Sequence, residues 1–526
     1  MIIKKILLSL LFLVAATAAM AQLRINWGKD SPVRKLEIAE MAITNLYVDS
    51  VNEQNLVENG IRGMLEKLDP HSSYTSAQET KEMNEPLQGN FDGIGVQFNM
   101  IEDTLVVIQP VVNGPSEKVG IRAGDRIVSV NDTAIAGVKM PRNEIMSRLR
   151  GKKGTRVCLK IVRRGVGTPL SFTVTRDKIP LKTVDAVYMI RPGIGYIRLS
   201  SFGMTSDKEV EDALDTLQRE GMKSLIFDLQ DNGGGYLQAA VGIASQFLPK
   251  DDLIVYTKGR VAPREEFKSD GKGKMENGKL VILVNEFTAS AAEIVTGAMQ
   301  DQDRGIIVGR RTFGKGLVQR PIPFEDGSMI RLTVAHYYTP SGRCIQKPYQ
   351  KGDLKDYEMD LDNRYKHGEL LHEDSIHLDK SQKYYTLGKH RLVYGGGGIM
   401  PDYFVPLDTT KFTNFHRQLL SKSIAINADL KYVDVHRKEL KAKYPSFNAF
   451  YKKYEVPEEL IDEIISEGKK QKVVPKDEAE LDRTLPYLRM QLKALIARDL
   501  WDMSQYYQII NESDDTVNKA LEILEK

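Results

Sequence analysis

Apolar and polar positions divide the chain into stretches of different texture. Residues 35–67 repeat apolar side chains at helical spacing (Ile38, Met41, Ala42, Leu46, then Leu56, Ile61, Met64, Leu65). The spacing predicts helix as far as Asp69-Pro70-His71-Ser72, where proline cannot continue it. From about 90 to 177 the pattern shortens to strands: Val96-Gln97-Phe98, Leu105-Val106-Val107-Ile108, and, after a turn at Ala123-Gly124-Asp125, the alternating Arg126-Ile127-Val128-Ser129-Val130. A helix over 143–150 and strands over 152–162 and 170–175 complete a strand-rich unit of about 90 residues, a normal domain size.

Strands and helices then alternate from 179 to about 407. A helix over 206–220, with Ser206 and Glu209 in capping-box spacing, leads into the buried strand Ser224-Leu225-Ile226-Phe227-Asp228-Leu229. The turn Asn232-Gly233-Gly234-Gly235 opens a second helix. Lys279-Leu280-Val281-Ile282-Leu283-Val284 is another strand, followed by a turn and a helix through Gln300, and Ile306-Ile307-Val308-Gly309 is a third. This rhythm predicts an α/β core around a largely parallel sheet. Residues 346–387 are polar and charge-rich with little periodicity, which predicts an insertion or long loop. Beyond about 412 the chain reads as helical and charged, and no internal repeat is found.

At 526 residues the chain is too long for a single core, and roughly three domains are expected. The 74 basic and 71 acidic residues leave a net charge of +3, which offers no electrostatic footprint for nucleic acid. The eight histidines include no H-E-x-x-H pair and two cysteines cannot build a zinc cluster, so neither metal nor cofactor is expected. At the N-terminus Lys4 and Lys5 precede an apolar run over 6–18, and Ala19-Met20-Ala21 fits a small-x-small cleavage site. A cleavable signal peptide over 1–21 and a periplasmic or otherwise exported protein are expected. The alternative is an outward-facing protein anchored by its N-terminus in the inner membrane, although the run is shorter than the roughly 20 residues a span needs. Export permits a disulfide, but Cys158 and Cys344 fall in different expected domains and are read as small buried hydrophobes.

Three segments carry candidate chemistry. Asn285-Glu286-Phe287-Thr288-Ala289-Ser290-Ala291-Ala292-Glu293-Ile294 follows a buried strand and precedes a helix, where the amides and the positive end of the helix dipole stabilise negative charge. Close helix–sheet packing explains such a small-residue stretch equally well. A serine nucleophile needs a base. His336, on the alternating strand 329–338, is one candidate, and Lys315, flanked by Gly314 and Gly316, is the other. A lysine acts as base only when neutral, which a desolvated pocket favours. Gln319, four residues on, could accept from the amine. Gly233-Gly234-Gly235 opens a helix after a strand and either presents amides to an oxyanion or simply makes a tight turn.

Together, T-A-S-A-A-E-I around Ser290, T-F-G-K-G-x-V-Q with Lys315 placed 25 positions later, D-L-Q-D-N-G-G-G at 228–235 and L-D-P-H-S-S-Y at 68–74 resemble the C-terminal processing peptidases (tail-specific proteases). The likeness runs in order from about 36 to 407. It implies a serine endopeptidase with Ser290 as nucleophile, Lys315 as general base and Gln319 orienting the lysine. The amides of Gly234 and Ala291 would form the oxyanion hole, with Glu293, Asp301 and Thr312 supporting. Two positions depart from the family's common residues, Ala292 where serine is frequent and Gln230 where arginine is. Asp92-Gly93-Ile94-Gly95-Val96 resembles the carboxylate-binding loop of a PDZ domain, and G-P-S-E-K-V-G-I-R-A-G-D-R-I at 114–127 is similar to the PDZ core. Gly93, Ile94, Gly95 and Val96 would then hold a chain terminus while the peptide adds to a sheet edge.

The expected fold is an α/β multidomain protein. A signal peptide (1–21) and a helical region (22–88) precede a small β-rich PDZ domain (89–178). An α/β peptidase core with a crotonase-like sheet follows (179–411, with the polar insertion about 346–387), then a helical C-terminal region (412–526). Expected partners are protein or peptide substrates with exposed C-termini, and not nucleic acid. Room is left for a homo-oligomer formed through the helical termini and for an adaptor protein.

Overall fold

The structure, a computed structural model, describes residues 31–526, so the expected signal peptide lies outside the described residues. The core is a six-stranded sheet in the order Val184–Arg191, Ile194–Leu199, Ser224–Asp228, Lys279–Val284, Ile306–Gly309, Tyr403–Phe404. The first pair is antiparallel and every later pair parallel. Strand alternation divides the side chains between two faces. Leu225, Phe227, Leu280, Ile282 and Val284 pack with the helices Ser206–Arg219, Leu237–Ser245 and Ala291–Asp301. Ile226, Val281 and Leu283 pack instead against Val517, Ala520, Leu521 and Leu524 of the last helix, Asp515–Glu525. The two central strands read as continuous apolar runs because both faces are covered. The last helix, expected to belong to a separate C-terminal region, is therefore part of the core.

A second, antiparallel sheet was not evident in the sequence. Ser73–Thr75 pairs with Met329–Tyr338, which also pairs with Leu253–Lys258 and Leu317–Pro323. The strand-rich unit forms a sheet in the order Val96–Ile101, Thr104–Pro110, Arg126–Val130, Arg156–Val162, Leu170–Thr175 around its own apolar cluster. Asn90–Gly93 pairs with Asp177–Pro180, so the two chain segments entering and leaving this inserted domain are zipped together. Ile424–Lys443, Glu458–Lys470 and Glu478–Leu500 pack on a fourth apolar cluster. No helix among the described residues is long and apolar enough to cross a membrane.

Several local expectations are corrected. The helical stretch 35–67 is two helices, Pro32–Leu46 and Glu53–Leu65, separated by extended backbone at Tyr47. Ser206 and Glu209 form no capping box: Ser206 Oγ accepts from Gly203 N (2.7 Å) and pairs with Thr183 Oγ1 (2.7 Å), and Glu209 Oε2 accepts from Thr183 N (2.8 Å) and Val184 N (3.1 Å), so other partners take both side chains. A capping box does form at Ser76 and Glu79, opening helix Ala77–Leu87. The polar stretch 346–387 is not a plain loop. It holds helices Leu354–Glu358 and Asp360–Lys366, and is pinned to the core where Glu369 bridges Arg311 and Arg364, all at 2.7 Å. Cys158 is exposed, on the outward phase of its strand, and Cys344 is half-buried; both are free.

Candidate active site

Ser290 ends the turn that joins strand Lys279–Val284 to helix Ala291–Asp301. The turn is built by its own polar groups: Thr288 Oγ1 donates to Leu229 O (2.8 Å), Asn285 N donates to Thr288 Oγ1 (2.9 Å), and Ala289 N donates to Asn232 O (2.9 Å). Ser290 itself sits at φ 57°, ψ −117°, a region that costs a non-glycine residue about 1–3 kcal/mol. Such strain persists only where surrounding contacts over-determine it, and here they do.

The main determinant is Glu293, fully buried in the first turn of the helix. Its Oε2 accepts from Ser290 N and Lys315 N, each at 2.9 Å, and its Oε1 accepts from Gly314 N (2.8 Å) and Thr312 Oγ1 (2.5 Å). Burial pushes this carboxyl up, while the four hydrogen bonds work in the opposite direction. On the other side Tyr337 Oη lies 3.1 Å from Ser290 O and 2.5 Å from Lys315 O. Burial and nearby Glu293 push the Tyr337 phenol far up, so it remains a donor. Ser290 and Lys315 are thus tied through both their amides and their carbonyls.

Lys315 is half-buried, and its amine is held below the usual lysine range by burial first and then by the Arg331 cation, against the opposing pull of Glu293. Among the described residues, Lys315 Nζ makes no hydrogen bond to Ser290 Oγ or to Gln319. Gln319 instead donates from Nε2 to Leu317 O (3.2 Å) and Thr333 Oγ1 (3.3 Å). A bulge between Val318 and Gln319 sets Gln319 opposite Thr333. The Leu-Asp-Pro-His-Ser-Ser-Tyr segment grips the lysine loop from two ends. Asp69 Oδ1 accepts from Thr333 Oγ1 (2.8 Å), while His71 Nε2 pairs with Tyr357 Oη (2.9 Å), which meets Gln346 (3.5 Å), whose Oε1 accepts from Gly316 N (2.8 Å). Burial, then the Lys315 charge, lowers His71 to about 4 against the pull of Asp69, so it is neutral at ordinary pH.

Other expected site residues are placed differently. The Gly234 N–H is occupied by Asn232 Oδ1 (2.9 Å), so it does not face an open oxyanion position in this conformation. Gly234 has another role: a Cβ there would stand 2.7 Å from Ala289 O and 2.8 Å from both Ala291 N and Ser290 Cβ, so only glycine lets the two turns touch. Ala291 N, at the first helical position, needs no acceptor within its own helix. Thr312 lies at the site through Glu293, and its Oγ1 also accepts from Ile399 N (2.7 Å). Asp301 is not brought to the site. It ends the eleven-residue helix that Ser290 caps, about 15 Å away by helical rise, in a fully buried pair with Arg343 (2.8 Å). His336 is exposed, between buried Ala335 and Tyr337.

Tyr337 and Thr333 carry no expected role, and Asn232 and Asp69 are expected only as parts of the motifs at 228–235 and 68–74. For Tyr337 a signal existed: on an alternating strand His336 and Tyr337 point to opposite faces, so a solvent-facing histidine implies an inward tyrosine.

In the strand-rich domain Gly93, Ile94, Gly95 and Val96 do converge, lining one end of a groove completed by Phe98, Met146, Leu149 and Arg150. The carbonyls of Ile94 and Gly95 accept from Ser116 N (3.0 Å) and Val111 N (3.0 Å), and Gly95 adopts φ 71°. Strand Val96–Ile101 is the edge of its sheet, with one side unpaired. Arg150 stacks over Phe91 (4.9 Å) and pairs with Glu85. Among the described residues no three metal-ligating side chains converge.

Fold and site together define a serine hydrolase core carrying a PDZ unit, and comparison with known proteins agrees. Residues 193–357 match peptidase family S41, residues 93–182 the PDZ domain, residues 15–80 the activating protease CtpB N-terminal domain, and residues 415–502 a family of unknown function. The carboxy-terminal processing protease CtpA of Bacillus subtilis is 35% identical over 368 residues, spanning 68% of this chain and 78% of the relative. The carboxy-terminal-processing protease of Bartonella bacilliformis is 37% identical, spanning 64% and 78%. Among solved structures, a photosystem II D1 C-terminal processing protease is 30% identical, covering 59% of this chain and 83% of that one, with a TM-score of 0.34. The chain belongs to the carboxy-terminal processing proteases, serine-type endopeptidases of peptidase family S41 that carry a PDZ domain.

Proposed function

We propose that this protein is an exported endopeptidase that recognises the C-terminal tails of protein substrates through its PDZ domain and cleaves them with a serine–lysine dyad, Ser290 attacking and Lys315 as base, through an acyl-enzyme that water hydrolyses. The observation that carries the reading is the double tie between the two residues, Glu293 on their amides and Tyr337 on their carbonyls. Burial, and then the Arg331 cation, hold the Lys315 amine below the usual lysine range, which favours the neutral form a base needs. The two side chains are not hydrogen-bonded to each other in this conformation, and catalytic hydrogen bonds commonly tighten only when substrate binds. Ala291 N and the helix start then face the developing oxyanion, joined by Gly234 N once Asn232 releases it.

The substrate's terminal carboxylate docks at Gly93–Val96 and its backbone adds to the open edge of Val96–Ile101, delivering a loosely folded tail to Ser290. Helices Pro32–Leu46 and Glu53–Leu65 expose Leu36, Met41, Leu46 and Met64, surfaces suited to a homo-oligomer or an adaptor. The apolar run and the cleavage pattern over 1–21 support export.

The test is digestion of casein and of a peptide with a free C-terminus. Wild type should cut both, Ser290→Ala neither, and amidating the peptide's C-terminus should weaken its binding. Undiminished cleavage by Ser290→Ala would refute the reading.

A further inference from the structure

We propose that Asp69 and Thr333 form a relay that fixes which pole of the Gln319 amide faces the lysine base, making both of them positioning residues for Lys315; this rests on the Ser290–Lys315 reading above. The two residues are 264 positions apart in sequence and meet where the turn before Ser73–Thr75 lies against strand Met329–Tyr338.

Each polar group here has a fixed donor or acceptor role. Asp69 Oδ1 accepts from His71 N (2.9 Å), Ser72 N (3.0 Å) and Thr333 Oγ1 (2.8 Å), while Oδ2 accepts from Ser72 Oγ (2.6 Å). Burial works to raise this carboxyl, and the hydrogen bonds from Ser72, His71 and Thr333 outweigh it and hold it below the usual range. An ionised carboxylate only accepts, so the single Thr333 hydroxyl proton points at Asp69. Thr333 Oγ1 can then only accept from Gln319, and the pole of Gln319 that meets it must be the NH2 group. Leu317 O, which also only accepts, selects the same pole. The Gln319 carbonyl Oε1, without a partner among the described residues, is left as the free end of the amide.

That end is the one a lysine base requires. A neutral amine has two N–H donors and one lone pair. If Gln319 Oε1 takes one N–H, the lone pair is directed away, toward the serine proton. A reversed amide would offer Lys315 an N–H and occupy the lone pair itself. The charged or titratable groups facing Lys315 are Glu293 from the helix, Arg331 from the strand beside Thr333, and His71 from the turn. None of these fixes the direction of the lone pair as an amide acceptor does.

The test is the pH dependence of kcat and KM for a fluorogenic peptide cut by wild type, measured on Thr333→Val, Thr333→Ser and Lys315→Ala. Thr333→Val keeps the shape but removes the hydroxyl. It should lower kcat about tenfold or more while leaving KM within about twofold. Without an acceptor held toward the ammonium, the charged form is less favoured, so the rising limb should move to lower pH even as its plateau falls. Thr333→Ser should restore plateau and limb. Should the valine variant fail to fold, Thr333→Ala removes the same hydroxyl and is read the same way. Wild-type kcat and limb in the folded hydroxyl-less variant, or equal damage from serine and valine, overturns the relay. Activity surviving in Lys315→Ala would instead overturn the dyad, a separate failure.

Discussion

Ser290 and Lys315 donate their backbone N–H groups to the same atom, Glu293 Oε2, each at 2.9 Å. One carboxylate oxygen therefore sets the separation of the Ser290 backbone from that of Lys315. The remaining oxygen holds Gly314 and Thr312, so the whole lysine loop hangs from one residue of the serine helix.

Glu293→Gln should then damage activity far more than its distance from substrate suggests. The amide keeps one acceptor oxygen but turns an NH2 group toward N–H donors. Hydrogen bonds to a charged group contribute about 1.5–3 kcal/mol each, so stability should fall by about that amount and kcat by about a hundredfold. Thermal melts and casein turnover measure the two.

Tyr337→Phe removes one hydroxyl from a fully buried ring and leaves Lys315 O without its donor. A loss of about 1–3 kcal/mol in stability is expected, with a kcat defect larger than any change in KM. Denaturant unfolding alongside steady-state kinetics reads both.

Gly234→Ala places a methyl group within 2.8 Å of the Ser290 Cβ and 2.7 Å of Ala289 O, at a φ of 95° that alanine resists. The Ser290 turn must shift, and a misplacement of this size costs about a hundredfold in rate. Near wild-type turnover would show that the two turns do not need to touch.

The pH dependence has a definite sign. In the proposed dyad Lys315 works as the neutral amine, and its folded value is lowered from 10.5. Activity should rise with pH through that lowered value and level off above it. Between the lowered value and 10.5 the unfolded chain binds more protons than the folded one, so stability attributable to this group also rises with pH across that window. A rate profile flat from mildly acidic to alkaline pH contradicts the lysine's role.

Much of the core was legible because its signals are local. Leu225–Phe227 and Leu280–Val284 are apolar runs bounded by turns, and the segments carrying Ser290 and Lys315 fall where strands end. What escaped is non-local. Ser73 pairs with Arg331, and nothing in a three-residue strand announces a partner so distant. Glu293 looked secondary because its importance lies in four donors gathered from two separate segments. Asp301 is expected at the site on the family resemblance alone, and the eleven-residue helix that begins at Ser290 carries it away. Residues 346–387 lack periodicity because they are held by ion pairs such as Arg311–Glu369 rather than by an apolar stripe.

The most direct test of the dyad is intact-mass and peptide mapping after treatment with a fluorophosphonate, which labels only an activated serine. Wild type should gain one adduct, on Ser290, faster as pH rises, with His336→Ala labelled at the same rate and Lys315→Met hardly at all. An adduct on another residue, or labelling of Lys315→Met at the wild-type rate, would contradict it.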